Sequence, residues 1–226
     1  RGAAGGIRNC EELFAKGSSA SIVGSMTDAT DPTDSTDPLS PDPGLDISLD
    51  AAALRVLAHP MRLTLLGRLR QYGPSTARQL ARLYDLDSGA ASYHLRRLAA
   101  GGLIEEDVER GNRRDRWWRA VHRQSFHDPA ADAPSDEADS RAYTHAVVLA
   151  YGDRLRRVAS TVPLLSDAWH AAAIFADYTV ELTPGELNLM KAEIVGVVSK
   201  YRTRTERSQG SDRVSVQLQA FPLVEE

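Results

Sequence analysis

Two groups of side chains have the types and spacing to contact a polyanion. In the first, Ser88, Gly89 and Ala90 open a helical pattern, followed by Ser92, Tyr93, Arg96 and Arg97. Small residues at the start of a helix let its backbone approach a grooved surface closely. Side chains that hydrogen-bond, about one turn further on, can reach base edges, and the two arginines behind them can reach phosphates or guanine. In the second group, Arg110, Asn112, Arg113, Arg114 and Arg116 cluster at or beside a turn around Gly111-Asn112. Arginines on a hairpin tip can lie along a phosphate backbone or enter the minor groove. Such contacts supply affinity and orientation more than sequence information.

The flanking sequence predicts elements that hold both groups in place. Asp87 is placed to cap the helix of the first group, with Ala91, Leu95 and Leu98 toward a core, His94 on the adjoining edge and Gly101-Gly102 as its end. Upstream, Ala77, Leu80, Ala81 and Tyr84 recur at the spacing of a buried helical stripe, capped by Ser75 or Thr76. An earlier helix carries Leu63, Leu65, Leu66 and Leu69 and ends near Gly73-Pro74. His59-Pro60 separates it from a short helix with Ala52, Leu54, Val56 and Leu57. Leu103 to Val108 and Arg116 to Val121 read as the strands of the hairpin. The adjacent Trp117 and Trp118 must face opposite sides of it, one of them sealing the core. Helices followed by an arginine-tipped hairpin predict a winged helix-turn-helix over residues 49–122, mainly α with a small antiparallel β element.

Charge is distributed to suit that reading. The chain has 226 residues and a net charge of -4. Residues 1–49 hold 3 basic and 8 acidic side chains, residues 50–122 hold 13 arginines and 8 acids, and residues 123–226 hold 11 basic and 15 acidic ones. The central segment alone is positive, and local charge matters more than the total for phosphate binding. The acidic run Glu105-Glu106-Asp107 is expected to be solvated or paired with nearby arginines.

The rest of the chain divides by composition. Residues 1–48 are expected to be a disordered tail, since Thr27 to Pro43 is almost entirely Asp, Pro, Thr and Ser. Met26 is the expected natural start, which would make residues 1–25 non-native. Residues 123–140 read as a linker. Residues 141–226 read as an α+β dimerisation or effector region: a helix over 141–160, a strand over Asp177 to Leu182, a helix opened by Thr183-Pro184-Gly185-Glu186, and a strand at Val214, Val216 and Leu218. Tyr143, Trp169, Phe175, Tyr178 and Met190 could line an effector pocket, although core or interface packing is the plainer expectation.

Several chemistries find little support. The single cysteine, Cys10, allows no disulfide within the chain and no cysteine cluster for zinc. His122, His127, His145 and His170 lack tight ligand spacing, and the ordinary role for His94 is to pack beside the helix of the first group and bond backbone or phosphate. No apolar run reaches membrane-spanning length and no apolar leader stands at the N-terminus, so a cytoplasmic protein without membrane contact is expected. No nucleophile–base pair or phosphate loop supports catalysis, and no cofactor is expected.

Residues of about 50–122, a third of the chain, resemble the ArsR-type winged-helix repressors, the arsenical-resistance regulators. The matching residues are Leu57-Ala58-His59-Pro60 with Arg62 and Leu66, Gln79-Leu80-Ala81, Ser92-Tyr93-His94-Leu95 with Leu98, Gly102-Leu103-Ile104, and Arg116-Trp117-Trp118-Arg119. The resemblance implies a bacterial homodimer that represses transcription on a palindromic operator in double-stranded DNA and leaves it when a small effector binds. It departs from the metal-sensing members: their Cys-x-Cys motif lies in the first helix of the helix-turn-helix, here Thr76 to Tyr84, which has no cysteine. The long C-terminal region is more similar to extended members from high-GC Gram-positive bacteria. Two alternatives remain at this point, a winged-helix module that binds protein and a small C-terminal enzyme with a regulatory head.

Overall fold

The first helices form where short polar side chains stop the backbone. Asp50 accepts from the Ala53 amide (2.8 Å) and starts α1, Ala51–Leu57. His59 accepts from the Met61 amide through Nδ1 (3.1 Å) and starts α2, Pro60–Tyr72, with proline at its first position. Thr76 and Gln79 bond reciprocally, side chain to backbone, and so open α3, Ala77–Leu83. Asp87 accepts from the Gly89 and Ala90 amides and opens α4, Ser88–Ala100. A computed structural model describes residues 42, 44–111, 115–202 and 208–223.

The four helices bury one apolar cluster. Leu57, Leu65, Leu66, Leu69, Leu80, Leu95 and Leu98 meet Leu103, just before the next strand, and Ile104 and Trp118 within the strands that follow. Ala91, Leu95 and Leu98 are the buried residues of α4, as its periodicity predicts. Two strands, β3 (Ile104–Glu106) and β4 (Trp117–Ala120), pair antiparallel with Glu105 opposite Arg119. A further strand, β2 (Ser75–Thr76), joins the other edge of β4 and makes the sheet three-stranded, in the order β2-β4-β3. Sequence periodicity predicts only the hairpin, because a two-residue strand leaves no pattern. Trp118 is buried and Trp117 half-exposed, so one ring closes the core as expected.

Regular structure reaches past residues 48 and 122, where the sequence suggests boundaries. β1 (Asp46–Ser48) pairs in parallel with β5 (Gln124–Phe126), with Ile47 opposite Ser125. Arg70, on α2, donates to the His122 carbonyl (2.9 Å) and the Ser125 hydroxyl (2.9 Å), and burial lowers its pKa to about 10. Residues 123–140 therefore carry β5 at one end and the first turn of the next long helix at the other, with largely exposed residues between. Their polar composition misled because the polar groups bond each other: His127 Nε2 lies 2.9 Å from the buried Ser140 hydroxyl and 3.5 Å from Asp132. Of the tail expected over residues 1–48, residues 1–41 and 43 lie outside the described residues.

Beyond β5 runs α5 (Glu137–Thr161), which packs on α1 and α2 through Ala146 and Ala150. Arg55 of α1 and Asp139 of α5 pair at 2.6 Å. The unanticipated α6 (Asp167–Ala172) is capped by Ser166. α7 (Pro184–Arg202) starts at the expected capping box, where Glu186 and Thr183 bond each other's backbone. The strands expected at 177–182 and 214–218 do not form, so residues 141–226 contain helices but no strand among the described residues. Alternation records a preference for a pleated surface; a strand also needs a neighbour to complete its ladder. The fold remains α+β through the winged sheet and the β1–β5 pair.

Candidate nucleic-acid interface

The side of α4 turned away from the core carries the expected first group. With about 3.6 residues per turn, Ala91, Leu95 and Leu98 define the buried side, and Gly89, Tyr93 and Arg96 fall roughly opposite. Ser88, Gly89, Tyr93, Arg96 and Arg97 are exposed, and Ala90 and Ser92 are half-exposed. Tyr93 keeps 55% of its surface free.

On one flank of α4 a cavity of about 430 Å³ opens toward the wing. Ser88, Ser92 and Arg96 line it from α4, Thr76 and Arg78 from the start of α3, and Asp115, Arg116 and Trp118 from the wing. Arg96 donates through Nε to the Ser92 carbonyl (3.3 Å), one turn back along its own helix. Arg78 pairs with Asp115 at 3.1 Å. The structure thus brings Arg116 of the wing group and Ser88, Ser92 and Arg96 of the helix group to one concavity. Arg78 belongs with them but was missed, because its proximity to α4 depends on how α3 packs.

The wing differs from a bare basic tip. Arg116 pairs with Glu106 at 3.0 Å, Arg119 with Glu105 at 2.7 Å, and Arg110 with Asp107 at 3.5 Å. The acidic run is therefore a set of partners for the arginines of the same hairpin. Arg116 also lies over the Trp118 ring, 5.7 Å from its centroid. Asn112, Arg113 and Arg114, expected at the wing tip, lie outside the described residues.

The other flank of α4 faces the start of α2. The His59 and His94 rings are 4.6 Å apart, centroid to centroid, and the Tyr93 ring lies 5.5 Å from His94 edge-on. Burial, and after it the nearby Arg62, lower the pKa of His59; burial, His59 and Arg62 lower that of His94. Arg62 itself is lowered by burial and by Arg97. Of this flank the sequence anticipates Arg97, as part of the first group, and His94, packed beside the helix and bonded to backbone or phosphate; it gives His59 and Arg62 no role in binding.

The structure places the five residues considered for an effector pocket, Tyr143, Trp169, Phe175, Tyr178 and Met190, as follows. Tyr143 packs against the core and meets His127 edge-on, its pKa pushed up to about 12 by burial. Phe175 and Tyr178 are exposed, and none of the five lines the cavity beside α4. Among the described residues no group of three or more His, Cys, Asp or Glu could hold a metal ion, and no helix is long and apolar enough to cross a membrane.

Residues 57–107, covering α2, α3, α4 and β3, match a protein family described as a helix-turn-helix domain. No curated protein matches the chain. The chain thus carries a helix-turn-helix domain of the transcription-regulator type, a DNA-binding module and not a catalytic one.

Proposed function

We propose that the protein is a homodimeric transcriptional repressor of the ArsR type that reads an imperfect palindrome in double-stranded DNA. The observation that carries this reading is the outer side of α4, where small and hydrogen-bonding residues stand clear of the core between two flanks rich in cations. In this reading α4 enters the major groove, Ser92 and Tyr93 meet base edges, and Arg96 and Arg97 sit behind them. Arg110, Arg113, Arg114 and Arg116 follow the backbone from the wing.

Dimerisation rests on the C-terminal surface. Leu164, Ile174, Phe175, Tyr178, Leu189 and Tyr201 are all exposed in the single chain. So much apolar surface on one region is characteristic of a protein interface, and a second copy is the occupant that a palindromic operator requires. Two copies would present their recognition helices to half-sites about one helical turn apart, roughly 34 Å.

Fluorescence anisotropy of the chain on DNA upstream of its own gene, across several salt concentrations, tests the reading. Saturable binding that survives random competitor DNA supports it. No binding even at low salt would instead favour a winged helix that binds protein, for which the paired carboxylates of the wing are the relevant observation.

A further inference from the structure

We infer that His59, Arg62, His94 and Arg97 form a second site for a DNA backbone phosphate, on the flank of α4 opposite the wing. The inference rests on the DNA-binding reading above and extends it to residues of α2, outside the recognition helix and wing.

The first support is charge without compensation. Every wing arginine described above has a carboxylate partner, and Arg78 of α3 has one too. Arg62 and Arg97 have none among the described residues, although they are close enough for each charge to oppose the other. Holding two guanidinium groups together costs free energy unless an anion offsets it. Arg62 Nε and His94 Nδ1 are buried and have no hydrogen-bond partner. No carboxylate or carbonyl among the described residues therefore draws on Arg62 Nε, and the charge of this flank is left for an outside anion to offset.

The second support is the chemistry on offer. His59 Nδ1 is occupied by the Met61 amide, so the neutral ring carries its proton on Nε2 as a donor. Two guanidinium groups beside an imidazole N–H provide several donors and fixed positive charge, the combination that holds a phosphate.

The third support is placement. At about 100° per residue, Ser88, Ser92 and Arg96 lie on the wing flank of α4, Tyr93 lies near the crest, and Arg97 and His94 lie on the α2 flank. A helix about 10–12 Å across fills a major groove about 12 Å wide. Its two flanks then face the two opposite phosphate backbones. The wing flank would hold one strand and the His59–Arg62–His94–Arg97 group the other, fixing how far the helix can roll in the groove.

Salt-dependent anisotropy of the full chain and its Arg62→Gln, Arg97→Gln and Arg62→Lys variants tests this. Each glutamine variant should lower the slope of log K against log salt by about 0.9, one phosphate contact, on specific and random DNA alike. Arg62→Lys should keep most of the slope. Inorganic phosphate at matched ionic strength should weaken the parent more than Arg62→Gln. Melting temperature and far-ultraviolet dichroism identify variants that fail to fold, and Arg62→Met, which keeps an apolar stem and removes the buried Nε, provides the reading if Arg62→Gln is one of them. A folded glutamine variant that binds with an unchanged slope overturns the second site while leaving the DNA-binding reading intact. A parent that binds no DNA at any salt overturns both.

Discussion

The Arg116 guanidinium, at the start of the return strand, lies 3.0 Å from the Glu106 carboxylate on the facing strand. The hairpin that would grip phosphate therefore holds its cations against its own acids. A phosphate that recruits Arg116 must displace Glu106. Both partners are substantially exposed, which places the pair among surface bridges worth about 0.2–1 kcal/mol. Glu106→Gln should therefore tighten binding by roughly one- to fivefold, equally on specific and random DNA. Titration of both DNAs at fixed salt checks this. A gain confined to the operator would mean that Glu106 takes part in base selection.

Recognition residues should behave differently. Tyr93 is largely exposed and Ser92 lies on the edge of the cavity, so neither contributes much to the core. Ser92→Ala and Tyr93→Ala should leave the melting temperature nearly unchanged. Each should alter preference at particular operator positions by about 1–3 kcal/mol, tens-fold in typical cases. Selection from a randomised operator library is the measurement, and an unchanged consensus in both variants would remove them from the recognition surface.

How far the sequence showed all this depends on the range of each interaction. Asp87, Thr76 and the Thr183–Glu186 box bond backbone within three residues, so their helix starts were legible. The α4 core positions were legible because helical periodicity repeats within one segment. β2 was not: its two residues gain meaning only beside Trp117 and Trp118, some forty positions later. β1 and β5 pair across 78 positions at Asp46 and Gln124, and polar composition concealed both. Arg62 and Arg97 likewise become neighbours only when α2 packs against α4. Conversely, Asp177 to Leu182 alternates like a strand, yet its pattern cannot supply a partner. Local chemistry showed the helix that faces outward, and tertiary packing decided which cations flank it.

The neighbouring His59 and His94 rings, tilted against each other, give the domain an acid-sensitive point. Folding lowers the pKa of His59 and of His94 from 6.5, mainly through burial, then through Arg62 for His59 and through His59 and Arg62 for His94. The unfolded chain therefore takes up protons at a higher pH than the folded one. Their contribution to stability is complete above about pH 6.5 and declines as pH falls below it. Protonation of His59 at Nδ1 would also remove the acceptor that caps α2. The melting temperature should fall between pH 7.5 and 5.5, and the double variant His59→Asn, His94→Gln should flatten that fall. Asparagine retains an acceptor at the cap, so the variant isolates titration from capping. An equally steep fall in the variant would place the acid sensitivity in other groups.

The C-terminal surface supplies the remaining prediction. Phe175 is 65% exposed and Tyr178 80% exposed, so in an isolated chain neither contributes much to stability. In a dimer that buries this region, both would be desolvated against the second copy, and a charge there would be costly. Phe175→Asp with Tyr178→Asp should shift the protein from dimer to monomer in sedimentation at micromolar concentration. Its melting profile at high dilution should match that of the parent. Affinity for a full palindrome should drop toward that for a half-site, because the second recognition helix is no longer tethered to the first. Affinity for an isolated half-site should not change, which separates loss of assembly from damage to the winged domain. A variant that remains dimeric would move the interface away from these residues, leaving α1 and α5, which already pack together beside the core, as the surfaces to test next.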